Sequence, residues 1–147
     1  MAGAEAKATA LGGYRLEDQV GFYLRRAGQR HAAIFAGLMT DALTPTQWAA
    51  LVKLAEYESL SQNLLGRETA MDGATIKGVV DRLLKHGLVA TAPDPDDARR
   101  VRVSITQPGL AAVQRGVGAA AAITAETLKP LTPAESRQLV ELLRRIA

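Results

Sequence analysis

The sequence predicts a mainly α-helical protein that carries one small β-hairpin. Two observations favour this fold class. Apolar residues recur at spacings of three and four along most of the 147 residues, which is the period of helices with one buried face. A single stretch near residue 100 instead alternates apolar and polar side chains, which is the period of a half-buried strand.

Capping residues mark the helix starts. In residues 44–47, and again in 132–135, a threonine is followed by proline and, three positions after the threonine, by glutamine or glutamate. The threonine hydroxyl can accept a free backbone N–H of the first turn, and the longer side chain can reach back to the N–H of the threonine. Proline suits the first helical position. Ser61, Asp72 and Thr106 are further cap candidates.

Between these starts, the apolar spacing predicts six helices. The first extends from Leu16 to about Met39, and residues 1–13, which are small and rich in alanine and glycine, are expected to form a flexible tail. The apolar residues of the other five helices lie in the ranges Trp48–Ala55, Leu64–Leu65, Ile76–Leu84, Leu110–Leu128 and Leu139–Ile146.

The alternating stretch predicts a hairpin. Residues 88–91 follow Gly87, a natural helix stop, and residues 101–105 alternate in polarity. The loop between them, Pro93–Arg100, is too polar to pack and too rich in proline to be helical. A short helix, a turn, a second helix and a hairpin together predict a winged helix-turn-helix.

The order of elements predicts one domain over residues 14–147. Within it, 44–106 is the winged lobe, and 14–43 and 107–147 are dimerisation helices. The last helix is assigned to dimerisation because its apolar side chains need burial that a lobe of this size does not supply. These residues are Leu139, Val140, Leu142, Leu143 and Ile146. A two-fold partner is the economical solution, so we expect a homodimer.

Composition excludes several classes of protein. The chain has no cysteine and only two histidines, so a disulfide scaffold, a zinc finger and a thiol nucleophile are excluded. Neither a His-Glu-x-x-His motif nor a glycine-rich phosphate loop occurs, so we expect no enzyme, no metal site and no cofactor. No apolar run approaches the roughly 20 residues that span a bilayer, and no secretory signal is recognisable. We therefore expect a cytoplasmic protein.

The charge pattern indicates double-stranded DNA as the partner. The net charge is +3, with a sequence pI of about 9.5. If the apolar stripe of the helix from Asp72 to His86 faces the core, its opposite face is small, hydrogen-bonding or basic, which suits the major groove. The predicted DNA contacts are Ser61, Gln62 and Asn63 before this helix, Ala74, Thr75, Lys77, Gly78 and Arg82 on it, and Arg99 and Arg100 in the wing.

Each charged group has a structural alternative. Asp81 and Arg82 can belong to a set of structural ion pairs in place of reading bases. Asp94, Asp96 and Asp97 would repel phosphate, so we expect them to shape the wing by accepting nearby N–H groups and to orient the wing arginines.

A cleft for a small effector is a further hypothesis. Its candidate residues are Arg26, Arg30, His31, Phe35 and Trp48. An aromatic wall, an imidazole and a guanidinium would suit a phenolic or aromatic carboxylate. The alternatives are a helix-interface histidine, a core tryptophan, and arginines that are solvated or form ion pairs between subunits.

Three motifs resemble the MarR family (multiple antibiotic resistance regulators). Leu43–Trp48 resembles the entry to the second helix of that family, Val80–Val89 the end of its recognition helix, and Asp94–Thr106 its wing. The resemblance implies a homodimer with intertwined first, fifth and sixth helices. It further implies repression at a palindromic site and release by small phenolic or aromatic acids.

The resemblance also implies residue roles. Thr75 and Lys77 fall where family members read bases, and Arg99 falls on the wing arginine. Gly73 and Gly78 depart from the family pattern, which often has larger polar residues there, and so does the order Ala98–Arg100. The alternative function is a winged-helix module that binds proteins or binds DNA without sequence preference.

Overall fold

A computed structural model describes residues 2–147, with all their side chains except those of residues 2 and 5–8. Met1, the first residue of the predicted tail, lies outside the described residues. The helices are α1 (Ala2–Leu11), α2 (Val20–Leu38), α3 (Pro45–Tyr57), α4 (Gln62–Glu68), α5 (Gly73–Lys85), α6 (Gln107–Leu128) and α7 (Pro133–Ile146). The strands are β1 (Ser59–Ser61), β2 (Val89–Pro93) and β3 (Val101–Ile105).

The N-terminal region differs from the prediction in two ways. Residues 2–11, expected as part of a flexible tail, form α1, since alternate residues there are alanine, the strongest helix former. This helix ends at Gly12 and Gly13, which both have positive φ. The long helix expected from Leu16 begins only at Val20, because Gln19 is extended (φ −99°, ψ 130°) and confines residues 16–18 to a single 3₁₀ turn.

All five predicted helix caps are confirmed. Thr44 and Thr132 form complete capping boxes with the residues three positions later. The side-chain oxygens of Ser61, Asp72 and Thr106 accept the backbone N–H three residues on, at 3.2, 2.7 and 3.2 Å. Local side-chain chemistry therefore fixes where α3 to α7 begin.

The predicted hairpin is confirmed, and a third strand joins it. β2 and β3 pair antiparallel with Thr91 opposite Val103, and β1 pairs with the other edge of β3, so the order is β1-β3-β2. β1 was missed because three residues are too few to show an alternating pattern. Its central residue, Leu60, is buried in the lobe.

The hydrophobic core lies in the winged lobe. Its fully buried side chains come from α3, α4, α5 and the sheet: Leu51, Leu54, Leu65, Ile76, Val79, Val80, Leu83 and Val103. α2 packs along α6 outside this core. The lobe is thus a compact unit attached to a pair of long helices.

The last helix is left uncovered. No described residue of α7 is buried, although Leu142 and Ile146 are apolar and remain 46% and 68% exposed. Together with Val20, Tyr23 and Leu24 of α2, the apolar face of α7 lines a groove of about 820 Å³. Within residues 2–147, no helix has the length and apolar character needed to cross a membrane.

Candidate nucleic-acid interface

The helix α5 separates its residues cleanly into a buried and an exposed face. Ile76, Val79, Val80 and Leu83 are buried, as the apolar spacing predicts. On the other face Ala74, Thr75, Lys77, Asp81, Arg82 and Lys85 are exposed, and Gly78 is half-buried. This exposed face offers small and hydrogen-bonding groups, which can approach base edges closely.

The N-terminus of α5 is capped by an anion. Asp72 Oδ1 accepts the N–H of Thr75 at 2.7 Å, and this backbone hydrogen bond lowers the pKa of the Asp72 carboxyl. One of the free N–H groups of the first turn is thereby used within the protein. The end of the helix that would approach a phosphate therefore already carries a carboxylate.

The structural ion pair that the sequence offers as an alternative forms for Asp81 but not for Arg82. Lys77 Nζ lies 2.8 Å from Asp81 Oδ2, one helical turn away, so Asp81 pairs with Lys77 and not with Arg82. Arg82 forms no ion pair within the described chain, and its Nη1 lies 4.0 Å from the position that a Cβ on Gly78 would occupy. The absence of a side chain at Gly78 leaves room for this guanidinium to lie back along the helix.

The residues predicted at the start of α4 differ in availability. The Ser61 hydroxyl is engaged as the cap, at 3.2 Å from the N–H of Leu64. Gln62 is half-buried, whereas Asn63 is exposed. Of the three, Asn63 is the side chain best placed to contact a phosphate oxygen.

Asp94 and Asp97 organise the wing, as the sequence predicts, whereas the Asp96 carboxylate forms no hydrogen bond or ion pair with the described residues. Asp97 accepts three hydrogen bonds from Arg99, from its backbone N–H at 3.0 Å, Nε at 3.1 Å and Nη2 at 3.2 Å. The side-chain bonds from Arg99, followed by the backbone bond, lower the pKa of Asp97. Asp97 also lies 3.7 Å from Arg100, so one carboxylate holds both wing arginines.

The second wing aspartate is buried. Asp94 Oδ1 accepts the N–H of Asp96 at 2.9 Å, and Asp94 Oδ2 lies 3.6 Å from Arg102 on β3. These contacts close the base of the loop. The side chain of Arg99 is 90% exposed at the tip and is the most exposed of the wing arginines, although it donates to Asp97.

Three of the predicted effector residues lie together. Arg30 donates to the carbonyl oxygens of Thr127 and Glu126 at 2.7 and 3.0 Å, and His31 Nδ1 lies 2.9 Å from Thr127 Oγ1. The Phe35 ring centroid is 6.3 Å from that of His31. These contacts attach α2 to the last turn of α6, where carbonyl groups lack helical partners. Thr127 and Glu126 were missed, because no pattern in the sequence reveals a contact across 96 residues.

The other two lie apart from this cluster. The Arg26 guanidinium stacks over Phe22 at 5.5 Å, on the exposed side of α2, and Arg25 stacks over the same ring at 5.8 Å. Trp48 packs directly on α6 at Gly116, where any Cβ would collide with the indole. Gly116 precedes Thr127 by eleven residues, which is about 16 Å of helix. The five residues therefore do not line one pocket in this structure.

A helix-turn-helix followed by a hairpin with exposed arginines defines the class of winged-helix DNA-binding proteins. Comparison with known protein families gives a match to the MarR family over residues 43–101. The transcriptional repressor NicR of Pseudomonas putida is 38% identical over 134 residues, which are 90% of this chain and 85% of that protein. The chain belongs to the MarR family, as the three sequence motifs indicate.

Two solved structures are similar over nearly the whole chain. A probable transcriptional regulator from Pseudomonas aeruginosa has 53% identity and a TM-score of 0.88, over 90% of this chain and 100% of that one. BpsR of Bordetella bronchiseptica, whose DNA binding is regulated by 6-hydroxynicotinic acid, has 41% identity and a TM-score of 0.86, over 90% and 96%. The protein is therefore a DNA-binding transcriptional regulator and not an enzyme, and members of its family are dimers.

Proposed function

We propose that this regulator is a cytoplasmic repressor that binds a palindromic operator as a homodimer and leaves it when a hydroxylated aromatic acid binds. The observation that carries the proposal is the exposed polar face of α5 beside a wing whose arginines are held by Asp97. Thr75, Lys77 and Arg82 supply groups for base edges on α5, and Arg99 and Arg100 supply cations for the backbone or the minor groove.

The uncovered face of α2 and α7 supports the homodimer. Its large apolar side chains would be solvated in a monomer, which is unfavourable at this density. A second copy covers the same face by symmetry. Two lobes related by a two-fold axis then present two α5 helices to half-sites about 34 Å apart, one turn of the duplex.

The basic face of α2 supports an acidic effector. Phe22, Arg26 and Arg30 follow one another at intervals of four and share one face of the helix. Arg30 donates to carbonyl groups at the end of α6, whereas Arg26 forms no ion pair with the described side chains and can donate to a carboxylate. His31 and Phe35 lie on the adjacent side of the same helix, where a ring could pack.

The regulation of BpsR by 6-hydroxynicotinic acid makes that acid the first probe. An effector can release DNA only if it binds better to an arrangement of the lobes that mismatches the operator. Arg30 and His31 connect α2 to α6, so a ligand that competes for them can alter this arrangement. We assign Trp48 to the junction between lobe and α6, where its fluorescence would report the change.

The test is operator binding with and without the acid. The duplex that flanks the gene is labelled, bound by the full-length protein in the presence of excess random DNA, and titrated with 6-hydroxynicotinic acid. Sequence-specific binding should survive competition by a factor of about 10³ or more. The acid should release the operator, whereas the corresponding amide, which lacks the carboxylate, should not.

Two variants test whether Arg26 binds the carboxylate of the acid. Arg26→Gln should raise the acid concentration needed for release by about tenfold, the typical worth of a charged hydrogen bond. Arg25→Gln removes an equivalent charge above the same ring and is the matched control. Loss of the complex under random competitor would contradict operator recognition. A complex that hydroxylated nicotinates, benzoates and cinnamates all fail to release would contradict the effector class.

A further inference from the structure

One ion pair connects the dimerisation helices to the entrance of the winged lobe. Arg115 on α6 donates from Nε to Asp41 Oδ2 and from Nη2 to Asp41 Oδ1, both at 3.0 Å. Asp41 lies in the loop between α2 and α3, 74 residues away in sequence. Two parallel bonds to one carboxylate fix both distance and orientation, which a single contact does not.

The loop that this pair holds is in an unfavourable conformation. Asp41 and Ala42 are consecutive non-glycine residues with φ values of 56° and 52°. L residues rarely adopt this region, and they keep it only where surrounding contacts impose it. Directly before them, the buried Thr40 Oγ1 has no hydrogen-bond partner among the side chains and backbone that the structure describes. Such buried polar atoms are rare in native structures, so this loop would gain by rearranging.

The neighbouring residue on α6 contacts the lobe as well. The Trp48 indole packs against the backbone of Gly116. Two adjacent positions of α6 therefore contact the lobe, 115 at the loop and 116 at α3. The indole contact and the close packing of Gly109 against the Leu88 carbonyl hold α6 against the lobe at two places along its length, which leaves a rotation about the axis of α6. The Arg115–Asp41 pair, at the end of α3 next to the loop, restricts that rotation.

We propose that Arg115 and Asp41 are positioning residues that set the operator spacing this regulator accepts. The inference rests on the proposed function, a dimer with one lobe on each half-site. Neither residue lies on the exposed face of α5 or in the wing, so their effect on DNA binding passes through the angle between lobe and α6. When the pair is broken, the loop relaxes, each lobe samples more orientations, and the two α5 helices no longer hold one separation.

The experiment compares operators that differ only in spacing. Kd is measured by fluorescence anisotropy, at one salt concentration, for the natural operator and for versions with one base pair inserted or removed between the half-sites. The wild-type protein should prefer the natural spacing by at least about tenfold, since a shift of one base pair rotates one half-site by about 34° away from its lobe.

Arg115→Gln and Asp41→Asn should each reduce that preference at least threefold, and the double variant should reduce it no further, because both remove one interaction. Ala42→Gly relieves backbone strain while keeping the pair, so it should preserve the preference. Lys53→Gln breaks the exposed Lys53–Glu56 pair within α3 and is the matched control, with no expected change in preference.

A purely structural role would lower the melting temperature and weaken binding to all operators equally, with the spacing preference intact. That result, in variants that circular dichroism shows to be folded and light scattering shows to be dimeric, would overturn the proposal. Failure of the wild-type protein to bind any operator would overturn the proposed function instead.

Discussion

The guanidinium of Arg99 forms a two-bond fork with the carboxylate of Asp97, at 3.1 and 3.2 Å, inside the wing loop. The same carboxylate lies 3.7 Å from Arg100. An acid in a loop that we propose to contact DNA would repel phosphate if it acted alone, yet here it orders the two arginines of the wing. Asp97 occupies, in the free protein, the position relative to Arg99 that a phosphate could take in the complex.

Replacing Asp97 separates its two effects on binding. Asp97→Asn removes a negative charge, so affinity for random DNA should rise, while the loosened Arg99 should lower the ratio of operator to random affinity several-fold. Both affinities are measured at one salt concentration. An unchanged ratio would show that Asp97 does not organise the wing.

The pH dependence of this wing follows from the same bonds. Because Arg99 lowers the pKa of Asp97 below its ordinary 3.8, the carboxylate is ionised throughout the neutral range. The contribution of this carboxylate to the stability of the wing is complete above pH 3.8, and it is lost only as the pH falls through the lowered pKa. The Asp97→Asn effect on discrimination should therefore be constant between about pH 5 and 8. A difference that varies across this range would contradict the pairing.

Removal of the Asp72 cap of α5 should lower the stability of the protein. Asp72→Ala removes the acceptor for the N–H of Thr75 and should lower the melting temperature, whereas Asp72→Ser keeps an acceptor and should restore most of it. The bond lowers the pKa of Asp72, so the advantage of wild type over Asp72→Ser should decline as the pH falls below 3.8. Melting by circular dichroism at pH 7 and at acidic pH measures both. Equal melting temperatures for Asp72→Ala and wild type would contradict the cap.

The junction at Gly116 is sensitive to a single methyl group. A Cβ there would lie 2.9 Å from Trp48 Cη2, so Gly116→Ala must displace the indole and should cost about 1–3 kcal/mol. Trp48 is the only tryptophan, so its emission should shift as well. Gly118→Ala, on the same helix with open space around it, should instead stabilise by up to about 1 kcal/mol. Urea unfolding measures the free energy of unfolding of both variants. Equal changes for Gly116→Ala and Gly118→Ala would contradict the contact between Gly116 and Trp48.

The apolar face of α7 predicts how the dimer can be broken. Leu142→Glu places a charge among the apolar residues of the groove and should produce monomers in light scattering, with a loss of operator affinity. Arg137→Glu adds the same residue outside this face and should leave the dimer intact. A dimeric Leu142→Glu variant would show that the second copy binds elsewhere.

Local chemistry explains which parts of the fold the sequence could predict. Thr44, Asp72 and Thr132 bond to residues three positions away, so their roles as helix caps could be predicted. The buried face of α5 could be predicted from the spacing of its apolar residues alone. β1 was missed because its pairing with β3 depends on residues more than 40 positions away. The break at Gln19 was missed because an apolar stripe shows spacing and not backbone angles.

The site was predicted less completely than the fold, for the same reason. The role of Asp97 could be predicted because Arg99 is two residues away. The partner of Asp81, by contrast, is Lys77, which a helical turn brings close, and not the adjacent Arg82. The Asp41–Arg115 and His31–Thr127 contacts join distant segments, and only the fold reveals them.

The most direct measurement is the affinity of wild type, Lys77→Ala and Arg99→Ala for operator and for random duplex across a range of salt. Loss of Lys77 should weaken operator binding more than random binding, because a base contact carries sequence information. Loss of Arg99 should weaken both and reduce the salt slope by about one unit. Unchanged affinities for Arg99→Ala, or equal losses on both duplexes for Lys77→Ala, would contradict a surface in which α5 reads the bases while the wing holds the backbone.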